Sequence, residues 1–328
     1  MSESIVLAGS MLVDNVKMIS RWPDKGMLAQ ISSVKRAVGG AVCNSGIDLK
    51  TLDPSITVKA LGKIGDDDAG DFVVSTLEGK GLDCSLVSRV AGVPTSFTDV
   101  MTVEETGERT FFNMHGADSA LVPGDVDVAK LDCGIFHFGY LLLLDGMDAE
   151  DEEYGTRAAR LLANVRAAGI KTSIDIVSEQ SERFARIVRP ALKHCDYVVI
   201  NEVEGSMATG VPADDLRGIC EGLFELGVGE RVVVHRPETG VTMGRGGDFT
   251  EVPSLELPSG WIKGSVGAGD AFCAGILYSL LKGTDPEYAL RLASCAAAMN
   301  LASSDSTGGA KSLAETMELE KRFGRRAK

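Results

Sequence analysis

Two hydrophobic periodicities alternate along the chain. Residues 5–8, 57–61, 135–138, 172–176, 197–200 and 231–234 are short apolar or β-branched runs. A run that is apolar at successive positions loses both faces to a core, as the strands of a buried parallel sheet do. Between these runs lie helical periods at 41–52, 68–80, 156–168, 182–193 and 214–226. Within 156–168, Leu161, Leu162 and Val165 share one face, Arg157, Arg160 and Arg166 reach solvent, and Gly169 supplies a stop. The alternation predicts an α/β fold with a doubly wound, mostly parallel sheet flanked by crossover helices.

Two stretches, 26–38 and 96–115, interrupt this order. Both are strand-like but more polar, and the alternation from Phe97 to Val103 predicts a half-exposed antiparallel sheet. They are expected to pair with each other as a small accessory sheet. That sheet is either edge decoration or a lid over the carboxyl ends of the main strands, where open α/β sheets bind ligands. A further hairpin, 240–245 with 248–253, turns at Gly246-Gly247.

Composition narrows the classes that remain. At 328 residues the chain forms one large domain or two modest ones, and no linker or repeat divides it. The 33 Lys+Arg against 47 Asp+Glu leave a net charge of −14, which disfavours nucleic acid and membrane surfaces as partners. The opening run has no basic n-region, so no signal peptide is expected. The apolar run at 140–144 is far too short to span a membrane. Seven scattered cysteines without a CxxC pair fit a reducing compartment, and a cytoplasmic location is expected.

The segment from Lys263 to Phe272 carries the chemistry. It passes from a Gly-rich turn directly into an apolar helical period. Small residues at Gly267, Ala268 and Gly269 leave first-turn N–H groups uncovered, so an anion fits on the helix N-terminus. Asp270 then stands in the first turn, beside that anion. A first-turn acid complements a helix dipole anywhere, but such capping does not require three successive small residues. A carboxylate next to a phosphoryl group is what a phosphotransferase needs to orient an attacking hydroxyl and take its proton.

At this point the chain resembles the ribokinase-like (PfkB) family of carbohydrate and nucleoside kinases, over almost its whole length. Gly267-Ala268-Gly269-Asp270 looks like the family's C-terminal signature, in which the small residues form the anion hole and the Asp is the catalytic base. Gly39-Gly40-Ala41-Val42-Cys43-Asn44 is similar to the N-terminal signature, a di-glycine hinge followed by a substrate-binding Asn. The run from Gly62 to Asp67, leading to Gly70, resembles the LGxxGxDxxG block of the same region. Asp14 matches the Asp that grips substrate hydroxyls. Asn201-Glu202-Val203-Glu204 is similar to the NxxE motif, in which Glu204 would organise Mg²⁺ through water and Asn201 the nucleotide phosphates. Gly116-Ala117-Asp118-Ser119 looks like the GANA-type end of the lid. The resemblance implies a single ribokinase-like domain over 1–328, with a discontinuous lid at about 11–38 and 95–117. It also implies ATP and Mg²⁺ as cofactors, a small-molecule sugar as substrate, and a homodimer formed through the lid.

Taken without the resemblance, several of these residues have plainer readings. Gly39-Gly40 is a tight turn or a hinge. Asp14 follows a buried strand, where a carboxylate begins a turn or offers two acceptors to a sugar diol. Asn44 is a solvated helical residue or a ligand. Asn201 and Glu204 cap a helix or serve phosphates. Asp175 reaches the phosphate region or caps the next loop, and His115, His137, His194 and His235 share no metal-ligand spacing.

Three positions depart from the family pattern. Gly264 stands where the family usually has an Asp that helps hold a monovalent cation, so K⁺ activation is expected to be weak or absent. His235-Arg236-Pro237-Glu238-Thr239-Gly240 replaces a TxGxxG-like adenine-side turn and matches it only at Gly240, while Arg236 either meets a phosphate or lies at the surface. Asp118 replaces the Asn of GANA.

The expected activity is ATP-dependent phosphorylation of a primary hydroxyl on a ribose- or fructose-like sugar. A nucleoside kinase would use aromatic walls from Trp22, Phe97, Phe111 or Phe112, and a sugar-acid kinase a cation from Arg21, Lys35, Arg36 or Arg109. A non-catalytic sugar-binding regulator on the same fold is the remaining alternative. A Rossmann dehydrogenase is excluded because no GxGxxG follows the first strand, and a Walker-type NTPase because no GxxxxGK[ST] exists.

Overall fold

The computed structural model describes residues 3–327. The chain opens with β1 (Ser4–Gly9), β2 (Leu12–Ile19), β3 (Ile31–Gly39) and α1 (Ala41–Leu52). Next come β4 (Thr57–Gly65), α2 (Asp68–Gly79), β5 (Asp83–Val90), β6 (Phe97–Val103) and β7 (Arg109–Met114). Short 3-10 turns lead to β8 (Ile135–Leu141), α3 (Asp145–Asp148) and a ribbon of β9 (Glu150–Asp151) and β10 (Gly155–Thr156). α4 (Arg157–Ala167), β11 (Lys171–Ile176), α5 (Arg183–Leu192), β12 (Tyr197–Asn201), α6 (Glu202–Thr209) and α7 (Leu216–Glu225) follow. β13 (Arg231–Arg236), β14 (Thr239–Gly244), β15 (Phe249–Pro253), α8 (Ala268–Lys282), α9 (Pro286–Asn300) and α10 (Leu313–Arg322) complete the order.

Nine strands form the main sheet, in the order β15-β14-β13-β12-β11-β8-β1-β4-β5. From β13 to β5 every pairing is parallel, and the hairpin β14–β15 adds an antiparallel edge. Alternate residues of one strand serve different cores. Val6, Ala8, Phe136 and Phe138 pack with α4, α5 and α7, whereas Ile5, Leu7 and Ile135 pack with α1, α8 and α9. This two-sided burial is why the central strands read as continuous apolar runs. The chain winds outward from β1 through β4 to β5, then returns to β8 on the other side of β1. The crevice at that reversal is where a doubly wound sheet accepts ligands.

A second sheet has four strands in the order β3-β2-β6-β7. The expectation that 26–38 and 96–115 pair with each other needs correction. β2 stands between them, antiparallel to β3 and parallel to β6, with Asp14 opposite both Ala37 and Thr98. Its polar Asp14-Asn15 pair resembles a turn in the sequence. In the fold, Val13 and Ile19 are buried at its ends and Lys17 pairs with Asp99 on β6 at 2.5 Å, which sustains the strand. β5 was also unmarked, because it is an edge strand whose side chains alternate between partial and full exposure. Among the described residues, no helix is long and apolar enough to cross a membrane.

Candidate active site

Asp270 lies in the first turn of α8 and is buried. Gly267, the residue before that helix, has φ +78°, and a Cβ there would collide with the Ser306 carbonyl. Only glycine holds this turn without strain. Gly269 faces open space, so the helix N-terminus stays accessible at Gly269. From the opposite side comes α1. Its entry residue Gly40 has φ +89°, and a Cβ would stand 2.6 Å from the Ser10 carbonyl. This tight passage turns the chain from β3 into α1 and sends Asn44 towards Asp270.

The two side chains meet. Asn44 Nδ2 donates to Asp270 Oδ2 at 3.0 Å, and the Tyr140 hydroxyl at the end of β8 donates to Oδ1. Asn44 is buried rather than solvated, and its Oδ1 has no hydrogen-bond partner. Burial pushes the Asp270 carboxyl up to about 6, against the opposing pull of these two donors. Asp14, in the middle of β2 rather than at a turn, is also pushed up to about 6, by burial and by the Asp270 charge, with Thr98 opposing. Gly39 ends β3 directly beside the Asp14 carboxylate. Asp175 is raised well above the usual range by burial and by the charges of Asp270 and Glu204. Its Oδ1 accepts the Ile176 N–H at 2.7 Å, a local bond within β11. Asp48, buried on α1, is raised by burial and by the Asp270 charge, and neither of its carboxylate oxygens has a partner. Several buried carboxyl groups thus crowd around Asp270.

Asn201 and Glu204 form a reciprocal cap on α6. Asn201 Oδ1 accepts the Glu204 N–H at 2.9 Å, and a Glu204 oxygen accepts the Asn201 N–H at 3.0 Å. The capping reading is therefore realised, yet the other Glu204 oxygen is buried and accepts the Ser178 hydroxyl at 2.6 Å. Beyond this cap opens a cavity of about 490 Å³, lined among others by Asn201, His235, Arg236, Gly269, Phe272 and Leu255. Arg236 lines it with a buried Nε that makes no hydrogen bond but lies 3.7 Å from a Glu238 carboxylate oxygen, so it does not simply lie at the surface. Gly240 stands behind this wall, inside β14, paired with His235 and packed towards the Phe272 ring.

Asp118 is buried in the 3-10 turn after β7, where it accepts the Ser96 hydroxyl at the entry of β6. Asp67 caps α2 through the Gly70 N–H at 2.8 Å and also accepts the Thr95 N–H at 2.9 Å. Of the four candidate cations on or beside the small sheet, Lys35 pairs with Asp305, Arg109 donates to the Ser304 carbonyl at 2.9 Å, and the Arg36 guanidinium lies 4.5 Å from the Phe72 ring centre, while Arg21 is exposed. Of the histidines, His137 joins Asp175 and Cys273 in a buried group whose ligand atoms lie within 4.8 Å of one another. Its members come from β8, β11 and α8, so sequence spacing does not reveal it. Tyr140, Ser178 and Asp48 were missed as site residues. Only Tyr140 left a signal, as the hydroxyl-bearing residue at the carboxyl end of an otherwise apolar strand run.

The family described as pfkB family carbohydrate kinase matches residues 2–312. The chain belongs to that family, and it is a phosphotransferase acting on a sugar or a nucleoside. Among its relatives is a deoxyribokinase from Salmonella typhi, 22% identical over 300 residues that span 90% of this chain and 92% of the relative. The fold is similar to that of Arabidopsis thaliana ribokinase complexed with ribose and ATP, with a TM-score of 0.81, 21% identity, and coverage of 98% of this chain and 99% of that one. It is also similar to a Burkholderia thailandensis nucleoside kinase in complex with inosine, with a TM-score of 0.75, 19% identity and 98% coverage of each chain.

The carboxyl cluster has a consequence for stability. Asp270 is raised from 3.8 to about 6 in the folded state, so its ionised form disfavours folding, and the cost vanishes as pH falls through that range. Asp270→Asn is expected to raise the urea-unfolding free energy at pH 8 by at most about 3 kcal/mol, at about 1.4 kcal/mol per pKa unit. The gain should shrink at pH 5, where the wild-type carboxyl is itself protonated. A variant less stable than wild type at pH 8 would contradict this account.

Proposed function

We propose that the protein transfers the terminal phosphoryl group of ATP to a primary hydroxyl of a neutral, ribose- or fructose-like sugar. The observation that carries this reading is the Asp270 carboxylate, held between Asn44 and Tyr140 in the first turn of α8, next to the 490 Å³ cavity. That volume lies within the usual range for small-molecule sites. Asp14 and Asn44 orient the sugar; the unpartnered Asn44 Oδ1 is an acceptor awaiting a donor hydroxyl. Asp270 takes the proton from the attacking hydroxyl. Backbone N–H groups around Gly267, Ala268 and Gly269 stabilise the charge on the transferring group. The oxygen-rich set of Asn201, Glu202 and Glu204 suits a hard cation held through water, since both Glu204 oxygens already accept hydrogen bonds. Mg²⁺ bound there would neutralise charge on the nucleotide phosphates.

A neutral sugar is preferred over a sugar acid because three of the four candidate cations, Lys35, Arg36 and Arg109, already have partners, and the fourth, Arg21, is exposed. It is preferred over a nucleoside because Trp22, Phe111 and Phe112 are about half exposed and none of them lines the 490 Å³ cavity, while Phe97 packs against the main core. Closure of the small sheet as a lid would exclude competing water. Exposed Ile31, Val34 and Phe111 on that sheet support its use as a dimer surface, and seven free cysteines support a reducing, cytoplasmic setting.

Asp270→Asn should retain sugar binding but lose most of its ADP release, about 10²-fold or more, as expected for loss of a general base. Near-wild-type turnover would remove Asp270 from the role. In a screen of sugars, sugar acids and nucleosides, ADP release should be largest with a neutral sugar and depend on its addition; no release with any acceptor would favour the regulator.

Residues near Gly264 do not fit a monovalent cation. Gly264 supplies no carboxylate, a Cβ there would stand 3.1 Å from Arg109 Nη2, and that guanidinium already serves the Ser304 carbonyl. Exchange of Na⁺ for K⁺ at constant ionic strength is therefore expected to leave the rate within about twofold, whereas electrostatic activation of several-fold would overturn the assignment.

A further inference from the structure

Asp270 has two oxygens and two donors, and the donors are not equivalent. Asn44 sits on α1, behind the Gly40 turn that joins it to the small sheet, and its amide has a free acceptor on the same side chain. Arriving sugar hydroxyls can donate to its Oδ1 and accept from its Nδ2, so both ends of the amide keep partners when Nδ2 leaves Asp270 Oδ2. Tyr140 has no such exchange. It is fixed at the end of β8 in the middle of the main sheet, and its described side-chain partners are Asp270 and the neighbouring Asn44 amide. A phenol that loses its partner in a dry site is left with an unsatisfied donor, which is costly. We propose that Tyr140 is a positioning residue, which pins Oδ1 of Asp270 to the sheet so that Oδ2 alone faces the acceptor hydroxyl. This inference rests on the reading of Asp270 as the base.

The geometry also sets the charge state. Asp270 is faced by Asp14 from β2, Asp48 and Cys43 from α1, Asp175 from β11 and Cys273 from its own helix. None of these favours an ionised carboxylate, and burial opposes it further. Among the described groups, the Tyr140 and Asn44 side chains are the ones that pull the other way. If Asn44 turns to the substrate, Tyr140 is the donor that remains. It keeps the base ionised while the hydroxyl approaches.

Tyr140→Phe removes one oxygen atom and keeps the ring in place. Two measurements on the full-length enzyme test the proposal. In a ¹³C NMR titration of labelled aspartate carboxyls, with Asp270→Asn assigning the resonance, the variant should shift the Asp270 midpoint upward by about one unit or more. The acid limb of kcat against pH should move the same way. The loss should reach about tenfold below the limb and be smaller at high pH, with KM for ATP unchanged. An unmoved Asp270 midpoint would overturn the proposal whatever the activity. A shifted midpoint with an unmoved kcat limb would leave Tyr140 as a donor to Asp270 and overturn its part in the reaction. A shifted midpoint together with full turnover by Asp270→Asn would instead remove the base assignment on which the proposal rests.

Discussion

The Asp270 carboxylate is withdrawn from water by the first turn of α8, by α1 and by the ends of β8 and β11, and its charge is tolerable there only because donors reach it. Everything else at the site is arranged around that tension. Burial strengthens each electrostatic interaction near the helix terminus, which is what charge stabilisation on a phosphoryl group requires. The same burial pushes the Asp270 carboxyl towards protonation and crowds it with Asp14, Asp48 and Asp175. The glycines on either side settle the geometry: Gly40 admits α1 and Gly267 admits α8 to a distance at which their side chains touch. A frame packed on both faces then holds these elements still, because β1 and β8 are anchored in two cores at once.

A net charge of −14 is an unpromising surface for a nucleotide-binding protein. In the proposed reading the conflict resolves locally, through the uncovered turn at Gly267–Gly269, where an anion would meet helix N–H groups rather than the acidic surface. A distant acidic field is screened by salt over roughly 8–10 Å, whereas a helix terminus in contact with its ligand is not. Surface charge and site charge therefore answer to different constraints.

The main sheet and most of its helices were legible in sequence because two-sided burial imposes unbroken apolar runs, and crossover helices impose a 3.6 period between them. Residues 41–52 match α1 end to end. What escaped was structure whose pattern is set by one-sided or partial burial: β5 at the sheet edge, and β2, whose Asp14-Asn15 reads as a turn. At the site, glycine-rich segments and their flanking acids were legible because backbone passage restricts residue type. Tyr140 left a signal too weak to single it out, since a tyrosine at the end of an apolar run is equally compatible with simple core packing. Its partner lies 130 positions away. Asn44 was ambiguous for the same reason; only the α1–α8 approach decides between solvent and Asp270. Gly240 was the opposite case, a residue that fits a motif letter but lies inside β14 behind His235.

The backbone passes between the small sheet and the body four times, near Ser10, Gly40, Thr95 and Gly116. These crossings are stitched to one another. Val42 N–H reaches the Ser10 carbonyl at 3.3 Å and Val13 N–H the Ser96 carbonyl at 3.0 Å. Ala117 N–H reaches the Pro94 carbonyl at 2.9 Å, and Gly116 N–H the Ser96 hydroxyl at 2.8 Å. Mechanically this is a four-ply strap rather than a single pivot. A strap flexes about its width but resists torsion and shear, because those motions would slide bonded plies past one another. Among rigid-body displacements of the small sheet, these bonds therefore oppose twisting and sliding more than swinging.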